Sequence, residues 1–273
     1  MKKTAVMYWS GTGNTKAMAE AVLEGMKEAG ADAALLEPGD VNGSTLSGVD
    51  AVAFGCPAMG SEVLEEMELV DRAACVLGIG CCGLHMDYIA YDNTTAPHGR
   101  ACAVATGMKR SNPDSLVFTY QGDGDFASIG LAESISAANR GENITVIFIN
   151  NGIYGMTGGQ MAPTTLVGMK ASTAPHGRDP KEHGYPMHMC EILNQLTAPA
   201  YLVRTSCNTP ANVNKTKQAI HKAFQNQLDG KGFSMVEIVT SCPTNWGLDP
   251  MKSLEYIEEK MLPEFPLGVV RDR

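Results

Sequence analysis

One stretch, Leu116 to Asn151, leaves the backbone little freedom. Leu116-Val117-Phe118-Thr119-Tyr120 is an apolar and β-branched run with the length of a buried strand. Gly122-Asp123-Gly124-Asp125 comes next, and glycine permits both a sharp turn and close approach of a ligand to the backbone. Residues 126–139 carry a helical pattern, and Ile144–Ile149 is a second wholly apolar strand. A strand, a helix and a strand of these lengths return the chain parallel to its start. The acidic turn then lies near Asn151, with the Asn151 amide and the Ile153 carbonyl as further oxygens. Mg²⁺ favours such hard oxygen donors, shared with substrate phosphates.

Gly124 and Asn151 are separated by residues 125–150, which is 26 positions. Gly-Asp-Gly alone is equally an acidic turn. With the Asn150-Asn151 pair in register and Gly155-Met156 behind it, the pattern resembles the thiamine-diphosphate motif. That resemblance implies Mg²⁺ on Asp123, Asn151 and the Ile153 carbonyl. It also implies diphosphate contacts from Gly122, Gly124 and Asp125, with Gly155 and Met156 lining the cofactor.

A chain of 273 residues allows one large or two ordinary domains. Its formal net charge of −9, with no basic patch, argues against nucleic acid. No apolar run is long enough for a membrane span, and the N-terminus lacks a signal-peptide pattern, so a cytoplasmic protein is expected. The eight cysteines then read as thiols or metal ligands, and no two form a Cys-x-x-Cys pair.

The first seventy residues have their own pattern. Thr4–Trp9 reads as a strand, followed by the hydroxyl- and glycine-rich loop Ser10–Thr15 and a helix with Met18, Val22, Leu23 and Met26 on its apolar face. Strands at 33–36 and 51–55 complete a β-α-β-β segment. Such a loop at a helix N-terminus suits an anion. Together with Gly55-Cys56-Pro57-Ala58-Met59-Gly60-Ser61-Glu62, it resembles the N-terminal half of flavodoxin. The resemblance implies an FMN phosphate on Ser10, Thr12, Gly13, Asn14 and Thr15. Flavodoxin's later strands and second flavin-flanking loop are not found, and a flavin needs both walls of its crevice.

From Asp71 onward the chain resembles the β subunit of the 2-oxoacid:ferredoxin oxidoreductases, in the branch acting on 2-oxoglutarate or branched-chain 2-oxoacids. The resemblance is carried by Gly80-Cys81-Cys82-Gly83, His98-Gly99-Arg100-Ala101, Ala103–Gly107, the acidic turn with its Asn pair, Gly155–Thr165 and Ser241–Trp246. It implies an α/β protein with a mostly parallel, helix-flanked sheet of the thiamine-diphosphate-binding fold over 71–273, preceded by a partial flavodoxin-like segment over 1–70. The join falls in Val63–Met67, which suits both families as a helix, and reads as a fusion by recombination, assembly error or design.

The family resemblance further implies that Gly80, Cys81, Cys82, Gly83 and His98 line the thiamine site. The activating glutamate would lie on an α subunit, with CoA and ferredoxin (or γ/δ subunits) as further partners. Family members hold a [4Fe–4S] cluster on four cysteines. Here Cys81 and Cys242 match two of them and the N-terminal Cys-x-x-Cys pair is missing, so no intact cluster is expected on the isolated chain. Thr-Ala-Pro-His-Gly-Arg occurs at 95–100 and again at 173–178, and only the first copy matches the family. An FMN electron carrier, or a chimera lacking both activities, are the alternative readings.

Overall fold

A computed structural model describes residues 2–8, 14–37, 40, 49–55, 59–89 and 91–273. They form two compact units, Met1–Glu66 and Met67–Arg273. The expected FMN-loop residues Ser10, Thr12 and Gly13, together with Cys56 and Pro57, lie outside the described residues.

In the first unit, β1 (Lys3–Tyr8) is flanked by β2 (Asp32–Leu36) and β3 (Ala51–Gly55), all parallel. Helix α1 (Asn14–Glu28) starts at the expected Asn14 and Thr15. It buries Ala19 against Val6, with Leu23, Met26 and Leu35 around them. Val22, expected on that face, is 45% exposed, one step round the helix from Leu23. Helix α2 (Met59–Glu66) covers most of the segment where the two resemblances meet.

The second unit is built on a seven-stranded sheet. Its strands are β4 (Ala73–Leu77), β5 (Asp92–Thr95), β6 (Leu116–Gly122), β7 (Thr145–Asn150), β10 (Tyr201–Ser206), β11 (Ser234–Val239) and β12 (Gly268–Asp272). The order is β12-β10-β11-β7-β6-β4-β5, parallel throughout except for the antiparallel edge strand β12. A short ribbon of β8 (Ile153–Tyr154) and β9 (Gln160–Met161) stands apart. Helix α3 (Ala101–Ser111) carries the chain from β5 towards β6, and α4 (Leu131–Arg140) lies between β6 and β7. The core joins Val76, Val117, Val146, Leu202 and Met235 from five strands to Ala105, Ala137 and Leu193 from the helices.

One expectation changes. The helix expected over 126–139 opens with a wide π-type turn, Asp125–Ile129, before α4 begins. Strand β12 follows β11 in the chain and pairs with β10 as a largely exposed antiparallel edge. Helix α7 (Pro210–Leu228; the short α5, Pro180–His183, and α6, Met189–Asn194, precede it) buries Ala219, Ile220, Ala223 and Phe224. Leu228 is nevertheless exposed and Gln227 buried, because Gln227 bonds both the N–H and the carbonyl of Val117. No helix among the described residues is long and apolar enough to cross a membrane.

The topology fixes where a ligand fits. From β4 the chain steps outward to β5, then returns past β4 to β6, so the strand order reverses between β4 and β6. In open parallel sheets ligands bind outside the carboxyl ends of the strands at such a switch point. The loops beginning at Gly78 and at Gly122 leave those two ends.

Candidate cofactor site

Asp123 follows the last residue of β6 and is buried. Its Oδ1 accepts the Gly124 N–H at 2.9 Å and its Oδ2 the Thr164 hydroxyl at 2.7 Å. Burial pushes its carboxyl up to about 6, although Thr164 and the backbone N–H groups of Gly124, Gly152 and Asn151 pull it back. The loop after β7 is therefore folded against the Asp123 carboxylate, which follows from the register Gly122↔Ile149 between β6 and β7. Asn151 turns its Oδ1 onto the Ile153 N–H at 3.1 Å, an Asx-type turn that brings the Ile153 backbone round beside it.

The two glycines of the acidic turn serve space rather than unusual dihedrals. Gly124 is right-handed, with φ −65° and ψ −42°. A Cβ there would lie 1.8 Å from Cε1 of Tyr154, whose ring packs directly on the turn. A Cβ on Gly122, in contrast, would meet nothing within 4 Å, and the same holds for Gly80 (φ +137°). Both open positions lie at the switch point, where a diphosphate would need room against bare backbone. Buried carboxylate, amide and carbonyl oxygens with open space beside them fit a Mg²⁺-diphosphate group. The buried Asn150 Oδ1, level with Asp123 across the two strands, also lacks a donor among the described residues.

Asp125 is not free to contact a diphosphate through its side chain. Its Oδ1 accepts from His98 Nδ1 (2.6 Å), Gly99 N–H (2.8 Å) and Ile79 N–H (3.2 Å), and its Oδ2 from Gln121 Nε2 (2.6 Å). The carboxylate orders its neighbours, which leaves the Asp125 backbone for the expected diphosphate contact. The Cys82 side chain is likewise engaged. Its thiol is buried, pushed up to about 12 by that burial, and directed at the Gly78 carbonyl at 3.4 Å. Of Gly80–Gly83, Cys81 keeps an exposed position.

Cys81 and Cys242 are brought together around Gly155. A Cβ on Gly155 would lie 3.4 Å from the Cys81 sulfur and 3.3 Å from that of Cys242. The Asn245 side chain, in α8 (Pro243–Trp246), fixes this corner by donating to the Gly155 carbonyl (3.0 Å) and to the Cys242 sulfur (3.3 Å). Burial, then the neighbouring Cys242, raises the Cys81 thiol above its ordinary value. Met156, next to Gly155, is exposed. Among the described residues no three His, Cys, Asp or Glu side chains converge as a metal group. Cys75 is buried in the middle of β4. Cys81 and Cys242 are thus the two matched cysteines, and the structure brings them to one corner.

Thr164, Gln121 and Arg178 escape a reading of the sequence. Arg178, from the second His-Gly-Arg, is buried and donates to the carbonyls of Pro163 (2.7 Å), Thr165 (2.7 Å), Gly184 (2.8 Å) and Tyr185 (2.8 Å). It pins the loop that carries Thr164 to Asp123. The one available signal was the repeated His-Gly-Arg itself.

Comparison with known proteins accords with this geometry. Residues 78–238 match the thiamine pyrophosphate enzyme C-terminal TPP-binding domain, and residues 6–77 match flavodoxin. The chain is 47% identical over 212 residues to the ketoisovalerate oxidoreductase subunit VorA of Methanothermobacter thermautotrophicus, which covers 78% of this chain and 44% of that protein. It is 38% identical over 189 residues to the 2-oxoglutarate synthase subunit KorB of Archaeoglobus fulgidus, with 69% and 66% covered. This chain thus spans less than half the length of the first relative. The fold is shared with 2-oxoglutarate:ferredoxin oxidoreductase from Magnetococcus marinus, with a TM-score of 0.64 at 24% identity, covering 79% of this chain and 77% of that one. With more than half of its residues in the one domain match, and a flavodoxin-like segment ahead of it, the chain belongs to the thiamine pyrophosphate enzymes and is similar to the 2-oxoacid oxidoreductase subunits among them.

Proposed function

We propose that this chain is the diphosphate- and metal-holding subunit of a 2-oxoacid:ferredoxin oxidoreductase, fused near residue 70 to a partial flavodoxin segment. The observation that carries the reading is the buried Asp123 carboxylate, met by the loop of Asn151 and Gly152 beside the open backbone of Gly122. Asp123, Asn151 and the Ile153 carbonyl would hold Mg²⁺, and the Gly122–Gly124 and Gly80 backbone would face the diphosphate. Thiamine diphosphate, when bound, supplies the carbanion chemistry that lets a 2-oxoacid lose CO₂. This chain's own residues bind and orient that cofactor.

The names of the relatives favour a branched-chain 2-oxoacid or 2-oxoglutarate as substrate. The activating glutamate is assigned to an α subunit, CoA takes the acyl group and ferredoxin the electrons. A cytoplasmic site of action follows from that chemistry.

The test is a titration with thiamine diphosphate, with and without Mg²⁺, followed by Trp246 fluorescence. Mg²⁺-dependent binding is expected, and Asp123→Ala should abolish it. Equal binding by the variant, or none by the wild type, would defeat the assignment. The flavodoxin match favours a second reading, an FMN carrier on the first seventy residues, which a flavin spectrum in the purified protein would support.

A further inference from the structure

We propose that His98 is the proton-carrying residue of this site, held by Asp125 with its proton on Nδ1 and its lone pair on Nε2. The proposal rests on the reading of the site as a thiamine-diphosphate centre.

The direction of every hydrogen bond around Asp125 can be fixed from the buried end. Burial pushes the Cys102 thiol up to about 12, so at neutral pH it is S–H, and it lies 3.2 Å from Gln121 Oε1. That orients the Gln121 amide, whose Nε2 then donates to Asp125 Oδ2. On the other oxygen, Gly99 and Ile79 present backbone N–H groups, which only donate. The carboxylate is thus an acceptor towards Gln121, Gly99 and Ile79 alike. His98 Nδ1, 2.6 Å from Oδ1, must therefore carry a proton, so in the neutral ring Nε2 keeps the lone pair. A buried carboxylate on Nδ1 is the arrangement that fixes a catalytic imidazole in one tautomer and steadies the imidazolium it becomes.

The ring is also rigidly placed. A Cβ on Gly99 would lie 2.7 Å from the Gly130 nitrogen, and one on Gly130 would lie 2.3 Å from the Asp125 carbonyl oxygen. The backbone carrying His98 is therefore packed against the turn carrying Asp125, and neither shifts alone. Arg100, the nearest cation in sequence, is paired with Glu133 at 2.8 Å. Two-fifths of the His98 side chain is open to solvent, whereas that of Asp125 is fully buried. His98 follows β5 at the same carboxyl edge of the sheet as Asp123. An Nε2 lone pair there takes a proton from an O–H or S–H group of a substrate arriving at the cofactor. The imidazolium so formed returns that proton to the product.

The tautomer can be read without turnover. In the full-length chain with ¹⁵N-labelled histidine, the resonances missing from His98→Asn assign His98, and Nδ1 is expected to carry the proton. Asn at 98 keeps an amide donor for Asp125 and removes Nε2. The variant should still bind thiamine diphosphate and Mg²⁺, so that its turnover can be measured with the cofactor in place. Reconstituted with its partner subunit, it should lose about 10²–10⁴-fold in kcat, the usual range for a lost acid–base group. A proton found on Nε2, or wild-type kcat in the variant, overturns the proposal. Failure of the wild type to bind thiamine diphosphate would instead overturn the function reading, and the tautomer would still decide whether Asp125 holds His98 in this form.

Discussion

Arg204 lies in the middle of β10 with 1% of its side chain exposed, and Glu237, its register partner on β11, has none. Arg204 Nε donates to Glu237 Oε2 at 2.9 Å, and its terminal nitrogens reach Glu191 at 2.8 and 2.5 Å. Glu237 Oε1 accepts the Asn150 amide at 2.8 Å, immediately before the proposed Mg²⁺ ligand Asn151. Arg204→Met replaces most of the volume but leaves the Glu237 carboxylate buried with no cation, held by the Asn150 amide and the Cys190 thiol. Breaking a buried pair in this way costs about 3–5 kcal/mol. Glu191 is nearly half exposed, so water replaces its share and the loss falls on Glu237. Adding Glu237→Leu removes the stranded charge and leaves the Asn150 amide unpaired, at about 1–3 kcal/mol. The double variant is therefore expected to be more stable than Arg204→Met by about 2 kcal/mol, the difference between those ranges. Urea unfolding followed by Trp246 fluorescence, in a Trp9→Phe background, measures the second unit. A double variant less stable than Arg204→Met would refute the reasoning, since it would mean the stranded carboxylate carries no penalty.

Two further substitutions test other parts of the second unit. Gly124→Ala should cost about 1–3 kcal/mol through overpacking and weaken thiamine diphosphate binding, because its Cβ would enter the Tyr154 ring. In a Tyr154→Ala background the same change should cost much less, and equal costs in both backgrounds would show that the ring is not the obstacle. Glu142 accepts from Arg140 at 2.6 Å and Arg110 at 2.5 Å. Burial pushes its carboxyl up, but hydrogen bonds from and the charges of Arg140 and Arg110 outweigh this and hold it below its ordinary value. A depressed carboxyl adds stability above its unfolded pKa that disappears as pH falls through the folded one. The stability gap between wild type and Glu142→Gln should therefore be open at neutral pH and close in acid, and a gap unchanged between the two would refute the pairing.

What the sequence made legible was whatever the chain holds close together. The apolar strands β6 and β7 and the turn between them are local, and the spacing of Asp123 and Asn151 follows from one strand–helix–strand unit. β5 escaped because Asp92-Asn93-Thr94-Thr95 is a polar edge strand, paired only with β4. Gly124 was legible as a glycine but not for its reason, since Tyr154 reaches it only once the loop after β7 has folded back. The partner of the Asp125 carboxylate was hidden for a similar cause: His98 sits 27 residues earlier on a different loop. The buried ion pair had a signal that was not used. β10 and β11 are buried at every position, Tyr201-Leu202-Val203-Arg204-Thr205-Ser206 and Ser234-Met235-Val236-Glu237-Ile238-Val239. Each carries a single charged residue, of opposite sign, as its fourth. A lone charge in a fully buried strand must find a partner or neutralise. Two such strands in one parallel sheet, with the charges at equivalent positions, pair them when the strands lie side by side in register. That inference requires only the strand assignments, and Glu237 in turn holds the Asn150 amide, next to the proposed metal ligand Asn151.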